Sequence, residues 1–167
     1  MRHFEYAFIV NAPLDKVWAF HDDPTALPKV MTGPVKMHVH HVERPLQPGS
    51  RISMTMQVGP IRRRWNVRLR AREAPRFFTD EQIEGEGPFR RWRHTHAFEA
   101  IDARRTRVVD RVEYEPPFGL LGKIGDALFG SVIMRGMFAS RAKATRRWLE
   151  SQASDAVAPA GAEQLAK

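Results

Sequence analysis

The chain has 167 residues and a formal net charge of +8, and it contains no cysteine. This length fits one domain with a substantial core, and the lack of cysteine excludes disulfides, thiolate metal sites and a cysteine nucleophile. No uninterrupted apolar run approaches the roughly 18–20 residues that a transmembrane helix needs, and the N-terminal residues lack a signal-peptide pattern. We therefore expect a cytoplasmic protein.

The positive charge comes mainly from arginine, which is spread over most of the predicted strands. A basic excess can attract nucleic acid or anionic lipid, but arginine also coats the solvent face of many sheets. The densest basic clusters are Arg62–Arg64 and the group of Arg90, Arg91 and Arg93. The neighbouring Trp65 and Trp92 are predicted to face inward, so bases would have no stacking platform and nucleic-acid binding is not favoured.

The N-terminal part predicts a strand followed by two short helices. From Arg2 to Asn11, apolar residues alternate with polar ones, as in a strand that is buried on one face. The tripeptide Asn-Ala-Pro at 11–13 supplies a cap and an early proline for a helix that ends at Phe20. The dipeptide Asp-Pro at 23–24 opens a second short helix, which ends before Gly33.

A strand is predicted over Val35–Arg44, and its three histidines raise the question of a metal site. In the predicted alternation His41 shares a face with Val39, opposite His38 and His40. At most two imidazoles therefore converge, and no third ligand is close in sequence. We interpret these histidines as exposed strand residues.

The clearest hairpin joins Arg51–Val58 to Ile61–Arg72 through a Gly-Pro loop, with glycine first as a type II′ turn prefers. The register pairs Met54 with Trp65. With this register, the inner face of the hairpin carries Ile52, Met54, Trp65, Val67, Leu69 and Ala71. The opposite face is then exposed and carries Arg64, Asn66, Arg68 and Arg70.

A further strand is predicted over Phe77–Glu84 after a turn that contains proline. Continuing the same pairing places Phe78, Asp80 and Gln82 on the inner face, close to the following strand. This register adds a carboxylate and an amide to a face that is otherwise apolar.

The hairpin from Phe89 to Gly119 consists of two antiparallel strands with a short turn near 102–105. Side chains alternate between the two faces along each strand. When the loop between the strands contains an odd number of residues, even-numbered residues of one strand lie opposite even-numbered residues of the other. The shared face then carries Trp92, His94, His96, Phe98, Val108, Asp110, Val112 and Tyr114. A purely structural core rarely buries so many polar groups, because each costs a few kcal/mol unless it is hydrogen-bonded. A wet or ligand-filled cavity is one solution.

The segment from Leu120 to Ser151 has helical period and is long enough to cross a sheet, since about 30 helical residues span roughly 45 Å. Its apolar stripe is Leu121, Ile124, Leu128, Val132, Phe138, Ala142 and Leu149, widened by Met134 and Met137. The residues after it are small and polar, which is typical of disorder. We expect one domain over 1–151 and a disordered tail over 152–167.

The order of these elements resembles the helix-grip fold of the START-like superfamily, also called SRPBCC. The resemblance covers residues 2–150 and is carried by NAPLDKVWAFHDDPTALPKV, FTDEQIEGEGPFRRWRHTHAFE and VVDRVEYEPPFGLLG. Within the superfamily the chain is similar to bacterial ligand-binding proteins of the polyketide cyclase/dehydrase-like type. The resemblance implies an α+β domain, in which a curved antiparallel sheet of about seven strands grips the C-terminal helix around an apolar cavity. Members bind lipids, sterols, polyketides or other hydrophobic molecules, only some are enzymes, and no metal or cofactor is implied.

Candidate ligand-binding residues come from the inner strand faces and the helix stripe. They are Met54, Trp65, Val67, Phe78, Asp80, Gln82, Trp92, His94, His96, Phe98, Asp110, Tyr114, Met134 and Phe138. Core packing alone would select the same apolar residues, so each apolar candidate is either cavity wall or core.

Four polar candidates, His94, His96, Asp110 and Tyr114, allow three interpretations. The two histidines lie about 7 Å apart along a strand, and with Asp110 they offer three metal ligands. Alternatively, a histidine oriented by Asp110, with Tyr114 as a hydrogen-bond donor, is a proton shuttle suited to cyclising or dehydrating a polyketide-like substrate. The favoured interpretation is that these groups bind one another and the polar end of a ligand without chemistry.

We therefore predict a protein that binds a small hydrophobic or amphipathic molecule in an internal cavity. A cyclase or dehydratase is the alternative function, and a partner- or nucleic-acid-binding module on the basic sheet face is a third. No metal or cofactor is expected.

Overall fold

The computed structural model describes residues 1–119 and 130–155, together with residues 122, 124 and 127. In this part of the chain, seven antiparallel strands form one sheet in the order β1-β7-β6-β5-β4-β3-β2. The strands are β1 (Arg2–Val10), β2 (Val35–Val42), β3 (Arg51–Val58), β4 (Ile61–Glu73), β5 (Phe77–Gln82), β6 (Arg91–Asp102) and β7 (Arg105–Glu115). The helices are α1 (Leu14–His21), α2 (Leu27–Val30) and the long α3 (Ser131–Asp155), with a 3-10 turn at Pro24–Ala26. The predicted helix-grip architecture is confirmed.

Two apolar clusters fill the space between the inner face of the sheet and the helices. The first includes Phe8, Val10, Val17, Trp18, Phe20, Phe98, Val108, Ala142 and Leu149. The second includes Met37, Ile52, Met54, Trp65, Val67, Trp92, Val112, Tyr114, Met134 and Phe138. Helix α3 contributes to both clusters, with Ala142 and Leu149 in the first and Met134 and Phe138 in the second.

The pairing of β6 with β7 follows the predicted register. Trp92 lies opposite Tyr114, and His96 lies opposite Asp110. All eight even-numbered residues predicted for the shared face are buried. The mixed polar and apolar face is therefore an interior surface of the domain.

The predicted register of the neighbouring strands is confirmed except near the end of β4, where the pairing with β5 shifts between Leu69 and Ala71. Ala71 lies opposite Thr79, which lies opposite Thr95 on the outer face, so the prediction that Ala71 faces inward is wrong because the strand bulges.

Met54 lies opposite Trp65 across the β3–β4 hairpin, and Gly59 in its turn has a φ of 56°, a conformation that glycine adopts without strain. Across β5 and β6, Asp80 lies opposite His94. The sheet thus brings a carboxylate next to the histidines.

Strand β2 departs from the predicted alternation near its end. A bulge between Val39 and His41 shifts the pairing with β3 by one residue, so His41 is exposed and Val42 packs towards the core. The prediction that His41 shares a face with Val39 is wrong, because an extra residue in a strand leaves no mark in simple alternation. The interpretation of His38, His40 and His41 as exposed strand residues is confirmed.

Asn66 on β4 is buried rather than exposed, with only 4% of its surface accessible. Its side-chain amide donates to the carboxylate of Glu86, which also pairs with Arg51. The backbone bonds Asn66 N–H to Glu86 O at 2.8 Å and Ile83 N–H to Asn66 O at 2.9 Å complete the contact. The expectation of exposure is wrong, because the loop after β5 folds over this part of the outer face.

The first helix begins differently from the prediction. Pro13 occupies the N-cap position of α1, and no side chain in the described part of the protein caps this helix. Instead, the backbone N–H and side-chain amide of Asn11 both donate to Glu150 Oε1, at 3.1 and 3.0 Å. Asn11 therefore links the end of β1 to α3 rather than capping the helix.

The predicted apolar stripe of α3 is partly wrong. Met134, Phe138, Ala142 and Leu149 are buried, whereas Val132 is 70% exposed. Val132 lies two residues before Met134, which places it on the opposite side of a helix with 3.6 residues per turn. In the structure, the helix is therefore rotated about its own axis relative to the prediction, so that Val132 faces solvent.

The predicted end of the long helix, Ser151, differs from the end of α3, and its predicted start falls among residues that are not described. Ile124, placed on the inner stripe, is 52% exposed, while Leu120, Leu121 and Leu128 lie outside the described residues. At the other end α3 continues to Asp155, and 156–167 lie outside the described residues, so the domain boundary and disordered tail stay predictions. Among the described helices, none has the length and hydropathy of a membrane span.

The packing of α3 can be tested by comparing two of its apolar residues. Leu149→Ala removes a side chain that is 4% exposed, and we expect a loss of about 2–5 kcal/mol in the free energy of unfolding. Val132→Ala is the matched control and should change it by less than about 0.5 kcal/mol. Urea unfolding followed by circular dichroism measures both values. Equal losses would mean that a different face of α3 packs on the sheet.

Candidate functional site

A cavity of about 130 Å³ lies between the inner sheet face, the two short helices and α3. Its apolar wall consists of Phe20, Ala26, Leu27, Val30, Met31, Met37, Ile52, Met54, Trp65, Val67, Phe78, Trp92, Met137 and Phe138. Polar side chains line the rest: His21, Asp23, Asp80, His94, His96 and Arg141. Small-molecule pockets typically measure about 300–1,000 Å³, so a larger ligand requires wall side chains to move. Methionines, with three rotatable bonds, are suited to such movement.

Nine of the fourteen predicted ligand-binding residues line this cavity: Met54, Trp65, Val67, Phe78, Asp80, Trp92, His94, His96 and Phe138. The other five are buried elsewhere. Gln82 is held by Phe89, to whose carbonyl its amide donates at 2.7 Å. Phe98, Tyr114 and Met134 pack in the apolar clusters, and Asp110 contacts the two histidines on the neighbouring strand. Their roles as ligand-binding residues stay predictions.

The carboxylate of Asp110 connects the two histidines of β6. Its Oδ1 accepts a hydrogen bond from His94 Nε2 at 2.9 Å and lies 3.0 Å from His96 Nδ1. The register between β6 and β7 fixes these contacts, because His94 and His96 share one face of β6 and Asp110 of β7 lies opposite His96. Each imidazole therefore has one nitrogen near Asp110 and a second nitrogen for other partners. His96 Nε2 lies 3.4 Å from Asp80 Oδ2.

Arg141 of α3 belongs to the same cluster and was not predicted. Its Nη1 lies 3.7 Å from Asp110 Oδ1, and its side chain is only 11% exposed. Its Nη2 lies 3.4 Å from His96 Nδ1, but that nitrogen cannot both donate to Asp110 and accept from Arg141. We assign the proton of Nδ1 to the shorter contact with Asp110. One sequence feature could have identified Arg141. It lies about one helical turn after Phe138, which places a charged side chain on the inner side of the helix.

His21, at the end of α1, is the second lining residue that the sequence analysis missed. Its Nδ1 lies 2.8 Å from the carbonyl oxygen of Val17, to which a protonated Nδ1 donates. Its ring centre lies 5.0 Å from that of Phe98. Burial, followed by the charge of Arg141, lowers the pKa of His21 to about 3. A neutral imidazole with Nδ1 protonated leaves Nε2 as an acceptor. The sequence could have indicated that His21 faces inward, because it lies four residues after Val17 and therefore on the same side of the helix.

Two further pKa shifts describe the charge of the cluster. Burial, followed by the neighbouring His96, lowers the pKa of His94 to about 4, although the bond to Asp110 opposes this shift. Burial would raise the pKa of Asp110, but Arg141 and the bonds from His94 and His96 hold that pKa well below its usual range. At neutral pH the cluster is therefore built around an ionised carboxylate and a neutral His94 that donates to it.

Asp80, His94 and His96 are the described residues whose arrangement would suit a metal ion. One ligand atom from each lies within 4.8 Å of the others. The metal interpretation weighed from the sequence used Asp110 as the third ligand. In the structure Asp80 takes that position across the β5–β6 pairing, while Asp110 contacts the imidazoles.

Several solved structures share this fold at low sequence identity. The Zhui aromatase/cyclase from Streptomyces sp. R1128 matches with a TM-score of 0.74 at 18% identity, covering 95% of this chain and 99% of that chain. Norcoclaurine synthase from Thalictrum flavum, in complex with dopamine and hydroxybenzaldehyde, matches with a TM-score of 0.63 at 14% identity, covering 90% and 87%. The di-domain ARO/CYC BexL from the BE-7585A biosynthetic pathway matches with a TM-score of 0.60 at 18% identity, covering 95% and 48%. These similarities define the class as a helix-grip protein.

Residues 10–136 match the family described as polyketide cyclase / dehydrase and lipid transport. The match spans more than half of the chain, and the chain belongs to this family. Among curated proteins, no relative matches at a significant level. Family membership and fold support a role in ligand binding or cyclisation, and the resemblance to SRPBCC proteins seen in the sequence is confirmed.

The low pKa of His21 predicts how stability depends on pH. Below about pH 6.5 the unfolded chain protonates this histidine while the folded protein, with a pKa of about 3, does not. Stability contributed by His21 is therefore complete above pH 6.5 and is lost as pH falls, by about 1.4 kcal/mol per unit. His21→Asn keeps a donor for Val17 but does not titrate, so its unfolding free energy should fall less between about pH 7 and 5.

Urea unfolding across this range measures the difference, and His38→Gln on the exposed face of β2 is the control. The charged or titratable groups around His21 are Arg141, His96 and Asp110, and all three are present in both variants. His38→Gln should keep the wild-type dependence on pH. If His21→Asn also kept it, the buried neutral state of His21 would be refuted.

Proposed function

We propose that the protein binds a small hydrophobic or amphipathic molecule, lipid-like or polyketide-like, in the cavity between the sheet and the C-terminal helix. The observation that carries this proposal is the distribution of side chains in the cavity. Most of the wall is apolar, and the polar groups His94, His96 and Asp80 lie together on one side. A molecule with an apolar body and one polar end matches this distribution.

The apolar wall supplies the driving force for binding. Apolar surface that leaves water contributes roughly 25 cal/mol per Å². Trp65 and Trp92, with ring centres 5.1 Å apart, form a rigid aromatic part of the wall. Met31, Met37, Met54 and Met137 form an adaptable part. The combination favours ligands of variable shape over one rigid ligand.

Two features of the cavity favour a ligand with polar atoms. The indole N–H of Trp65 is buried and has no hydrogen-bond partner among the described residues. This nitrogen is not exposed to the cavity, so an acceptor oxygen on a ligand satisfies it only after Trp65 turns; leaving it unsatisfied costs about 1–3 kcal/mol. At the polar cluster, the imidazole nitrogens that do not contact Asp110 provide a second place for a ligand oxygen.

A cyclase or dehydratase is the second candidate, and the contact of His94 and His96 with the ionised Asp110 favours it. Such a reaction needs a base that takes a proton from the carbon beside a carbonyl, and an acid that returns it to the hydroxyl leaving as water. His96 lines the cavity and is oriented by Asp110. Arg141 also lines the cavity, and its positive charge would stabilise the developing enolate oxygen. The name of the Zhui aromatase/cyclase supports the same chemistry. Tyr114 does not line the cavity, so this mechanism does not use it.

Cavity binding is tested with the neutral fluorophore N-phenyl-1-naphthylamine and a pair of variants on β3. Met54→Trp fills part of the cavity and should weaken binding at least about tenfold, because the probe and the indole compete for one space. Met56 lies on the same strand face but does not line the cavity, so Met56→Trp is the matched control. Fluorescence titration measures the affinities, and thermal melting checks folding. Wild-type affinity in Met54→Trp, or no binding by the wild type, would refute the proposal.

Catalysis is separated from binding by His96→Gln. The wild type and the variant are incubated with molecules that co-purify from the native host, found by native mass spectrometry, and products are followed by chromatography and mass spectrometry. If the protein is an enzyme, turnover should fall at least about a hundredfold, since positioned proton transfer contributes 10²–10⁴-fold, while the fluorophore still binds. A product that forms equally fast in the variant would exclude His96 as the acid–base group.

A further inference from the structure

We propose that Asp80, His94 and His96 form a binding site for a divalent transition-metal ion such as Zn²⁺ or Fe²⁺, with Asp110 orienting both imidazoles. The proposal goes beyond ligand binding in the cavity and does not depend on it. It rests on the spacing of the ligand atoms, on the contacts of Asp110 and on the burial of Asp80.

The spacing of the ligand atoms fits one ion. Donors bound to Zn²⁺ at about 2.0–2.1 Å and at tetrahedral angles lie roughly 3.4 Å apart. Asp80 Oδ2 and His96 Nε2 are 3.4 Å apart. One ligand atom each from Asp80, His94 and His96 lies within 4.8 Å of the others.

The sheet holds the three residues in this arrangement. His94 and His96 share the inner face of β6, two residues apart, and Asp80 lies directly opposite His94 on β5. Neighbouring strands lie about 4.8 Å apart, so the three side chains converge without any contribution from a flexible loop. Sites built on strands position ligands more precisely than sites on loops.

Asp110 provides the outer contact that histidine ligands of metals usually have. Its Oδ1 lies 2.9 Å from His94 Nε2 and 3.0 Å from His96 Nδ1. When these two nitrogens carry the protons, His94 Nδ1 and His96 Nε2 have free lone pairs. Metal-bound histidines commonly donate their other N–H to a carboxylate, which fixes the tautomer and the ring orientation. One buried carboxylate does this here for both rings.

The position of Asp80 favours a cation. Arg141 faces Asp110 at 3.7 Å, whereas Asp80 lies on the other side of the histidines, on β5. The side chain of Asp80 is only 15% exposed, and its ion-pair partner in the described part of the chain is His96. A mostly buried carboxylate is costly unless it is paired, and a bound cation pairs it.

The site opens into the cavity, so an ion held by three protein ligands keeps positions for water or a ligand oxygen. Such openness distinguishes catalytic from structural zinc sites, and two histidines with one carboxylate also suit Fe²⁺. A ligand carbonyl that reaches the polar side of the cavity would be polarised there by the ion. The species proposed to bind at this site is therefore a divalent transition-metal ion.

The chain contains a second His-x-His pair that serves as a control. His38 and His40 share the exposed face of β2, where Gln57 and Thr55 are their hydrogen-bond partners at 3.1 and 2.8 Å. Among the described residues, neither belongs to a group of three metal-ligating side chains. Surface binding of metal by a bare histidine pair can therefore be separated from binding in the cavity.

The experiment titrates the full chain, stripped of metal with a chelator, with Zn²⁺ by calorimetry and with Co²⁺ by visible absorption. We expect one ion per chain, and Co²⁺ bands typical of fewer than six ligands. Asp80→Asn should weaken Zn²⁺ binding at least about tenfold and His96→Gln by more, because second-shell changes alone cost 10–100-fold. The double variant His38→Gln, His40→Gln should bind like the wild type. Circular dichroism and thermal melting check that each variant folds, and either cavity variant alone is sufficient for the comparison.

Two outcomes would overturn the metal site. One is that the wild type takes up no stoichiometric ion. The other is that the ion is lost in the His38, His40 double variant and kept in Asp80→Asn or His96→Gln. Titration of the same metal-free samples with N-phenyl-1-naphthylamine separates the two proposals. Fluorophore binding without an ion refutes the metal site only, and an ion without fluorophore binding refutes the cavity ligand only.

Discussion

The ionised carboxylate of Asp110 is the group on which the interior of this protein depends. It is 1% exposed, and a charge removed from water in this way is costly unless partners compensate it. His94 and His96 are two such partners, from the same sheet, and Arg141 of α3 is a third. Because the helix contributes Arg141, the polar cluster holds the helix to the sheet as well as lining the cavity.

The same arrangement explains why the domain has a cavity rather than a uniformly apolar core. Side chains such as Trp92 and Phe138 pack around the cluster, while the apolar wall continues away from it towards β2 and β3. An interior with one polar and one apolar part is suited to amphipathic molecules. The helix-grip fold supports different chemistries, as the names of an aromatase/cyclase and of norcoclaurine synthase among the similar structures illustrate. Function in such a fold is therefore decided by the site and not by the fold.

The strands were predictable because alternation is a local property of an extended backbone. The even-numbered residues of β6 and β7 were assigned to one inner face from the sequence, and burial of His94, His96 and Asp110 follows from that pattern. Prediction failed where the cause is not local. A bulge reversed the side of His41, and a loop from elsewhere in the chain covered Asn66.

The sequence by itself determined the order of the elements, the register of the hairpins and, except at the bulges of β2 and β4, the residues that share each strand face. These properties depend on neighbours in the chain and on turn geometry, which a sequence contains. Only the tertiary structure decided that Arg141 and His21 join the polar cluster, and that Val132 of α3 faces outward. The rotation of a helix about its axis, and the approach of side chains far apart in sequence, are set by the packing of the whole domain.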